Sequence, residues 1–246
     1  MSLQVINELA KVTMLKAAAT GFMRIFEETA RKKKSFDVAL SGGVTAKEFF
    51  SFLVSEIRGH KNLDQIRFFF SDERVVPLES EESNAGNALR NLLDPLSIAR
   101  RQFFPMYDAK NSSQVCALLY EKLLAKNLAV DKAGLPCFDL LYLGIGLDGH
   151  IASLFPNSPL VDAATNHQGY VSVANMPGVL YERITLMPKV INAAKHIHVM
   201  AFGAKKAPVI KSILIGPYTP NLFPAQLVLR QTLSQVVLFL GDMGEL

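Results

Sequence analysis

The sequence predicts a single three-layer α/β domain, residues 1–246, built on a mostly parallel, Rossmann-like sheet. Three observations carry that prediction. Short apolar runs of strand length alternate with longer segments whose apolar residues recur at helical spacing. Glycine-rich turns follow several of those runs, as strand-to-helix connections require. No internal repeat, low-complexity linker or composition break divides the chain.

Taken in order, residues 7–31 carry Leu9, Val12, Leu15, Ala19, Phe22, Ile25 and Phe26 at helical spacing and predict an amphipathic opening helix. A short strand, 36–40, runs into Ser41-Gly42-Gly43-Val44-Thr45 and a helix over 46–57, the first strand–turn–helix unit. A second strand, 66–70, leads into Ser71-Asp72-Glu73-Arg74 and a polar loop to residue 84. A helix over 85–93 stops before Pro95, a weaker strand covers 103–107, and 113–127 is helical. The run 138–143 is a buried strand that breaks into Gly144, Gly146 and Gly149. Strands follow at 170–174 and 183–186, with Pro177 and Gly178 between them, and at 196–202 before a helix to about residue 215. A turn-rich stretch, 216–224, precedes a last strand at 236–240.

Composition narrows the function classes. Half of the residues are apolar, enough for a large core, and the net charge of +4 is a mild excess. The one dense basic block, Arg31-Lys32-Lys33-Lys34, ends a predicted helix, where cations complement the dipole and are solvated. With neither interleaved aromatics nor a recognition motif beside it, no nucleic-acid partner is expected. The N-terminus lacks the pattern of a signal peptide and no apolar run spans a bilayer, so the expectation is a cytoplasmic protein without membrane contact. Cys116 and Cys137 have no metal or redox spacing and are expected to be buried and reduced. Monomer and homodimer remain equally open.

Four places carry chemistry. Gly42 and Gly43 at a strand-to-helix turn let backbone approach a ligand, and the next helix offers free N–H groups to an anion, with Ser41 and Thr45 adding hydroxyls. The same glycines also fit a plain tight turn. Without a Gly-Lys-Ser/Thr ending the loop is not a triphosphate cradle. Arg74 is able to fork onto a phosphate or carboxylate while Asp72 holds it or acts as a base; a local ion pair stapling the loop is the alternative. Lys206, at a helix start, and Arg183, at a strand start, are further cations, with Lys205 as a competitor for the first role.

Gly144, Gly146 and Gly149 match the dinucleotide spacing G-x-G-x-x-G, but Pro156 and Pro159 leave no room for the long helix that fingerprint needs. Asp148 and His150 are the working pair of this stretch: an imidazole can take and return a proton near neutrality, and a neighbouring carboxylate orients it. His60, His167, His196 and His198 lack such surroundings. No cluster has metal-ligand spacing, so no metal is expected, and no serine sits in a nucleophile elbow.

Four segments together resemble one family, in matching order and separation over nearly the whole chain. They are Leu40-Ser41-Gly42-Gly43-Val44-Thr45; Ser71-Asp72-Glu73-Arg74-Val75-Val76-Pro77 with Ser83-Asn84; Gly144-Ile145-Gly146-Leu147-Asp148-Gly149-His150-Ile151-Ala152-Ser153-Leu154-Phe155-Pro156; and Gly203-Ala204-Lys205-Lys206-Ala207. The resemblance is to the 6-phosphogluconolactonases of the glucosamine-6-phosphate isomerase/6-phosphogluconolactonase family. The related deaminases share Asp-Gly-His but typically continue Phe-Asn-Glu-Pro and lack the cation at Arg74. Val44 and Ile151 depart from the serine and threonine usual in the lactonases.

The resemblance implies hydrolysis of 6-phospho-D-glucono-1,5-lactone in the oxidative pentose phosphate pathway, without a cofactor. It implies His150 as general base with Asp148 orienting it, and a sugar-phosphate grip made by Ser41, Gly42, Gly43, Thr45, Arg74, Lys206 and Arg183. Asp72 would serve sugar hydroxyls or loop geometry.

Overall fold

The computed structural model describes residues 2–162, 169–176, 178–230 and 234–244; His167 and Pro177 lie outside them. In chain order the elements are β1 (Ser2–Glu8), α1 (Lys11–Ala30), β2 (Phe36–Leu40), α2 (Val44–Ile57), β3 (Ile66–Phe70), β4 (Asp72–Arg74), α3 (Asn84–Ala88) and α4 (Ser113–Asn127). They continue with β5 (Ala129–Val130), β6 (Pro136–Cys137), β7 (Leu140–Gly144), β8 (Val171–Ala174), β9 (Arg183–Leu186), α5 (Pro188–Ala193), β10 (His196–Phe202), α6 (Ala207–Ile215), α7 (Gln226–Leu229) and β11 (Gln235–Gly241).

Six strands pair in the order β1-β11-β10-β7-β2-β3, every ladder parallel. Parallel strands must be covered on both faces, which is why β2 is buried at all five positions and apolar at four of them, the exception being Asp37 near its amino end. Right-handed crossovers carry the chain from β1 to β2 and on to β3 in one direction, then back through β7, β10 and β11 in the other. That rule sets α1 and α2 on one face and the later crossover helices on the opposite face. The reversal falls between β2 and β7, so the carboxyl ends of those strands open a crevice.

Burial explains each main helix. Met14, Leu15, Ala18, Ala19, Phe22, Ile25 and Phe26 form the buried stripe of α1. In α2 the stripe is Ala46, Phe49, Phe50, Leu53 and Ile57. Both cysteines are buried and free.

The structure departs from the sequence expectation in several places. The opening helix, expected from residue 7, begins only at Lys11, and residues 2–8 form an edge strand paired to β11. None of residues 3–8 is buried, so the apolar alternation that announces a strand is missing. Residues 103–107 do not form a strand but pair with β3 at a single parallel bridge, Phe103 to Phe68, where Phe104 N–H donates to the Phe68 carbonyl at 2.9 Å and its ring stacks on Phe69. The strands near 170–174 and 183–186 exist but leave the main sheet. Together with β4, whose residues fall in a predicted loop, they make an antiparallel sheet in the order β4-β9-β8.

Lys33 is not solvated either. Its Nζ lies 3.1 Å from Asp37 and 2.6 Å from Asp139, two carboxylates buried at the amino edge of the sheet and also held by Arg67 and Lys195. Among the described residues no helix is long and apolar enough to cross a membrane.

Candidate active site

The crevice at the switch point is a cavity of about 500 Å³ at the carboxyl ends of β2, β7 and β10, closed on one side by β4 and β9. Four chain segments build it.

The first is the turn after β2. Gly43 adopts φ +92°, a conformation that costs other residues, and stands as the N-cap of α2 with no side chain capping the helix. The first-turn amides of α2 therefore remain for a ligand, since no helix can satisfy them internally. Gly42 is required for a different reason: a Cβ there would lie 1.7 Å from Asn84 Oδ1. Ser41, Thr45 and both glycines line the cavity. Val44, where a hydroxyl would be usual in the resembled family, is 74% exposed.

The second is β4 against β9. Strand alternation puts Asp72 and Arg74 on one face and Glu73 on the other. The register sets Asp72 opposite Thr185 and Arg74 opposite Arg183, so two arginines face each other at the cavity wall. Asp72 does not hold Arg74. Its carboxylate accepts from Ser153 Oγ at 2.7 Å and lies 3.8 Å from Arg183 Nη1. Arg74 instead donates to the Glu82 backbone carbonyl at 2.7 Å and lies 3.4 Å from the Glu82 carboxylate, a local ion pair that ties down the loop. The Nε atoms of Arg74 and Arg183 are buried without a hydrogen-bond partner among the described residues. Burial pulls the Arg183 guanidinium down from its ordinary value, and Asp72 partly offsets this.

Glu73, on the opposite face, has no role that its sequence position announces. It is 2% exposed and accepts from the backbone N–H of Arg74, Asn84 and Ala85 at 2.7, 2.7 and 2.8 Å and from Ser83 Oγ at 3.0 Å. It thereby caps α3 and fixes Asn84 against Gly42. Burial pushes its carboxyl up to about 7, against the pull of these four donors.

The third is the turn after β7. Asp148 Oδ1 lies 2.6 Å from His150 Nδ1 and accepts the His150 backbone N–H at 3.1 Å. His150 lines the cavity and Asp148 stands behind it, outside the lining. With Nδ1 engaged by a carboxylate, the imidazole is held in the tautomer whose Nε2 has a free lone pair. Burial works upward on the Asp148 carboxyl, but the hydrogen bonds and charge of His150 outweigh it and hold it below its usual range. Gly146 permits the contact, because a Cβ there would meet His150 Nδ1 at 2.2 Å and Asp148 Oδ1 at 2.5 Å. Ile151, the other departure from the resembled motif, is fully buried and bridges to Ile145 and Leu154, closing the turn. No long helix opens after these glycines, as the prolines foretold.

The fourth is the turn after β10, where Lys206 reaches the cavity and Lys205 stays exposed. Lys206 Nζ donates to the Ile145 carbonyl at 2.5 Å, which ties it to the histidine turn, and burial lowers its pKa. Lys11, paired with Glu48 and set 4.7 Å from the Phe202 ring centroid, also lines the cavity. Nothing in the sequence pointed to it, because its place depends on the unrecognised β1.

Every predicted site residue except Asp148 therefore borders one cavity. It offers an imidazole backed by a carboxylate, a helix N-terminus, three cations in addition to Lys11, and hydroxyl donors. Such a wall is built for a small polyanion positioned beside a proton-transfer group.

Comparison with known proteins agrees with that class of site. The sequence profile of the family described as glucosamine-6-phosphate isomerases/6-phosphogluconolactonase matches residues 10–238, and the chain belongs to this family. Within it the similarity is to the lactonases. The 6-phosphogluconolactonase of Treponema pallidum (strain Nichols) is 32% identical over 203 residues, 82% of each chain. That of Synechocystis sp. is 33% identical over 194 residues, 79% of this chain and 78% of the other. The solved 6-phosphogluconolactonase of Trypanosoma cruzi superposes with a TM-score of 0.84 at 29% identity, covering 99% of this chain and 96% of that one.

Proposed function

We propose that the protein hydrolyses 6-phospho-D-glucono-1,5-lactone to 6-phospho-D-gluconate, the second step of the oxidative pentose phosphate pathway, with His150 as general base. The observation that carries this reading is the 2.6 Å contact from Asp148 to His150 Nδ1, which frees Nε2 beside an anion-binding wall. The Gly42 and Gly43 turn, Thr45, Arg74, Arg183 and Lys206 take the phosphate. Arg74 and Arg183 oppose each other in register, a repulsion that a bound dianion converts into attraction. Anchored there, the substrate presents its C1 carbonyl to His150.

His150 Nε2 accepts a proton from water as the water oxygen bonds to C1. The tetrahedral adduct then breaks its C1–ring-oxygen bond, and the proton passes from Nε2 to the departing oxygen, which becomes a hydroxyl. The new carboxylic acid ionises to solvent. One positioned general base contributes ~10²–10⁴-fold, which suits an activated ester. An isomerase or deaminase needs a further carboxylate beside His150. Here the neighbour is the Phe155 ring, 4.9 Å from the imidazole, which supports the lactonase reading.

The test is to generate the lactone in situ and follow its loss with wild type and His150→Ala. Wild type is expected to exceed the spontaneous rate clearly, and His150→Ala to lose ~10²–10⁴-fold of kcat. A wild type that adds nothing to spontaneous hydrolysis sinks the assignment; a fully active variant sinks only the mechanism.

A further inference from the structure

Ser153 is fully buried, three residues beyond His150, and lies against the small antiparallel sheet rather than in the cavity lining. Its backbone N–H donates to Thr185 Oγ1 at 3.1 Å, which aims its own hydroxyl across the sheet at Asp72 Oδ2, 2.7 Å away. The same Oδ2 is the atom nearest Arg183, at 3.8 Å from Nη1, long for an ion pair. Oδ1 is held more loosely, by Ser71 Oγ at 3.3 Å and Asn84 Nδ2 at 3.4 Å. Asp72 is thus kept just short of Arg183. The guanidinium retains an unpartnered Nε, with Phe155 5.6 Å from it and Arg74 opposite.

From this geometry we infer that Ser153 is a positioning residue that restrains Asp72, keeping Arg183 uncommitted so that it can grip the substrate's phosphate. A buried carboxylate freed of its hydroxyl partner closes on the nearest cation, because an unsatisfied charge in the interior is costly. Without Ser153 Oγ, Asp72 neutralises Arg183 and competes with the phosphate for it. The hydroxyl acts only through Asp72 and touches neither the substrate nor the reacting atoms. This inference rests on the reading of the cavity as a sugar-phosphate site and extends it to a residue of the histidine turn.

The experiment is a double-mutant cycle read by calorimetric binding of inorganic phosphate and of 6-phosphogluconate to wild type, Ser153→Ala, Asp72→Asn and the double variant, with folding checked by circular dichroism. Ser153→Ala is expected to weaken both ligands about ten-fold, the value of one charge-assisted hydrogen bond. In the Asp72→Asn background the same change is expected to move either affinity by less than about two-fold, since the competing charge has gone. A general loosening of the fold would act equally in both backgrounds. Equal effects in the two backgrounds, no effect of Ser153→Ala in either, or no binding by wild type overturns the proposal. Binding is measured without turnover, so a wild type that binds phosphate but fails to hydrolyse the lactone removes the proposed activity and leaves the role of Ser153 readable.

Discussion

Two buried groups with opposite pH linkages give a sharp test of the fold's electrostatics. His198 lies fully buried in β10, its Nδ1 3.2 Å from the Tyr142 hydroxyl, and burial drives it down to about 3 from an ordinary 6.5. Glu73 moves up to about 7 from 4.5, again by burial. Between about pH 5 and about pH 6 the unfolded chain carries a proton on His198 that the native state refuses, so this group makes stability rise with pH. Over the same interval the native state keeps a proton on Glu73 that the unfolded chain has lost, so this group makes stability fall with pH. Each full proton is worth about 1.4 kcal/mol per pH unit, and partial titration at the ends leaves roughly 1.2 kcal/mol from each across the interval.

In wild type the two nearly cancel. His196, also held low by burial, adds to the rising side. In Glu73→Gln the carboxyl no longer titrates, and unfolding free energy from urea curves is expected to rise by somewhat more than about 1.2 kcal/mol from about pH 5 to about pH 6, His196 adding to His198. In His198→Asn it is expected to fall, by somewhat less because His196 still contributes. Each variant also carries a constant penalty, and the difference between the two pH values removes it. Parallel pH curves for wild type and Glu73→Gln would show that the four donors keep Glu73 ionised throughout, refuting the assignment.

Three further outcomes follow from the site geometry. Gly42→Ala places a methyl 1.7 Å from Asn84 Oδ1 and must displace the Asn84 side chain, which is bonded to Asp72, or the turn, so lactone hydrolysis is expected to fall on the order of 10²-fold, while the clash costs ~1–3 kcal/mol in urea unfolding. Asp148→Asn removes the acceptor that fixes the imidazole tautomer; kcat is expected to drop on the order of 10²-fold with KM nearly unchanged, and an unaltered kcat would free Asp148 from any role. Arg74→Ala is expected to raise KM about ten-fold and leave kcat within about three-fold, and steady-state kinetics showing no change in either would remove Arg74 from the phosphate grip.

The central sheet was legible because its inner strands are buried on both faces and therefore mostly apolar, with Asp37 in β2 and His198 in β10 as buried exceptions. What escaped had no such signature. The edge strand β1 buries nothing among residues 3–8, so its pairing with β11 left no mark on the sequence, and the position of Lys11 at the cavity wall was lost with it. Site residues next to glycines were legible for a different reason. Gly42 and Gly146 stand where a side chain would strike Asn84 or His150, so the glycine pattern itself marks the close approach.

Asp72-Glu73-Arg74 shows where such legibility stops. As a loop, three adjacent ionisable residues invite pairing with one another. As a strand they alternate, and each finds a partner far away in sequence: Asp72 meets Ser153 and Arg183, Glu73 caps α3, and Arg74 reaches Glu82. A three-residue strand, polar on both faces, gives no period from which to infer this. Only the antiparallel partner β9, arriving more than a hundred residues later, sets the register. The chemistry of a residue can thus be read from its type and its glycine neighbours. If Ser153 restrains Asp72 as proposed, whether Arg183 is free to meet a phosphate or is spent on Asp72 is set by a buried serine on a third segment, and that contact exists only once the chain has folded.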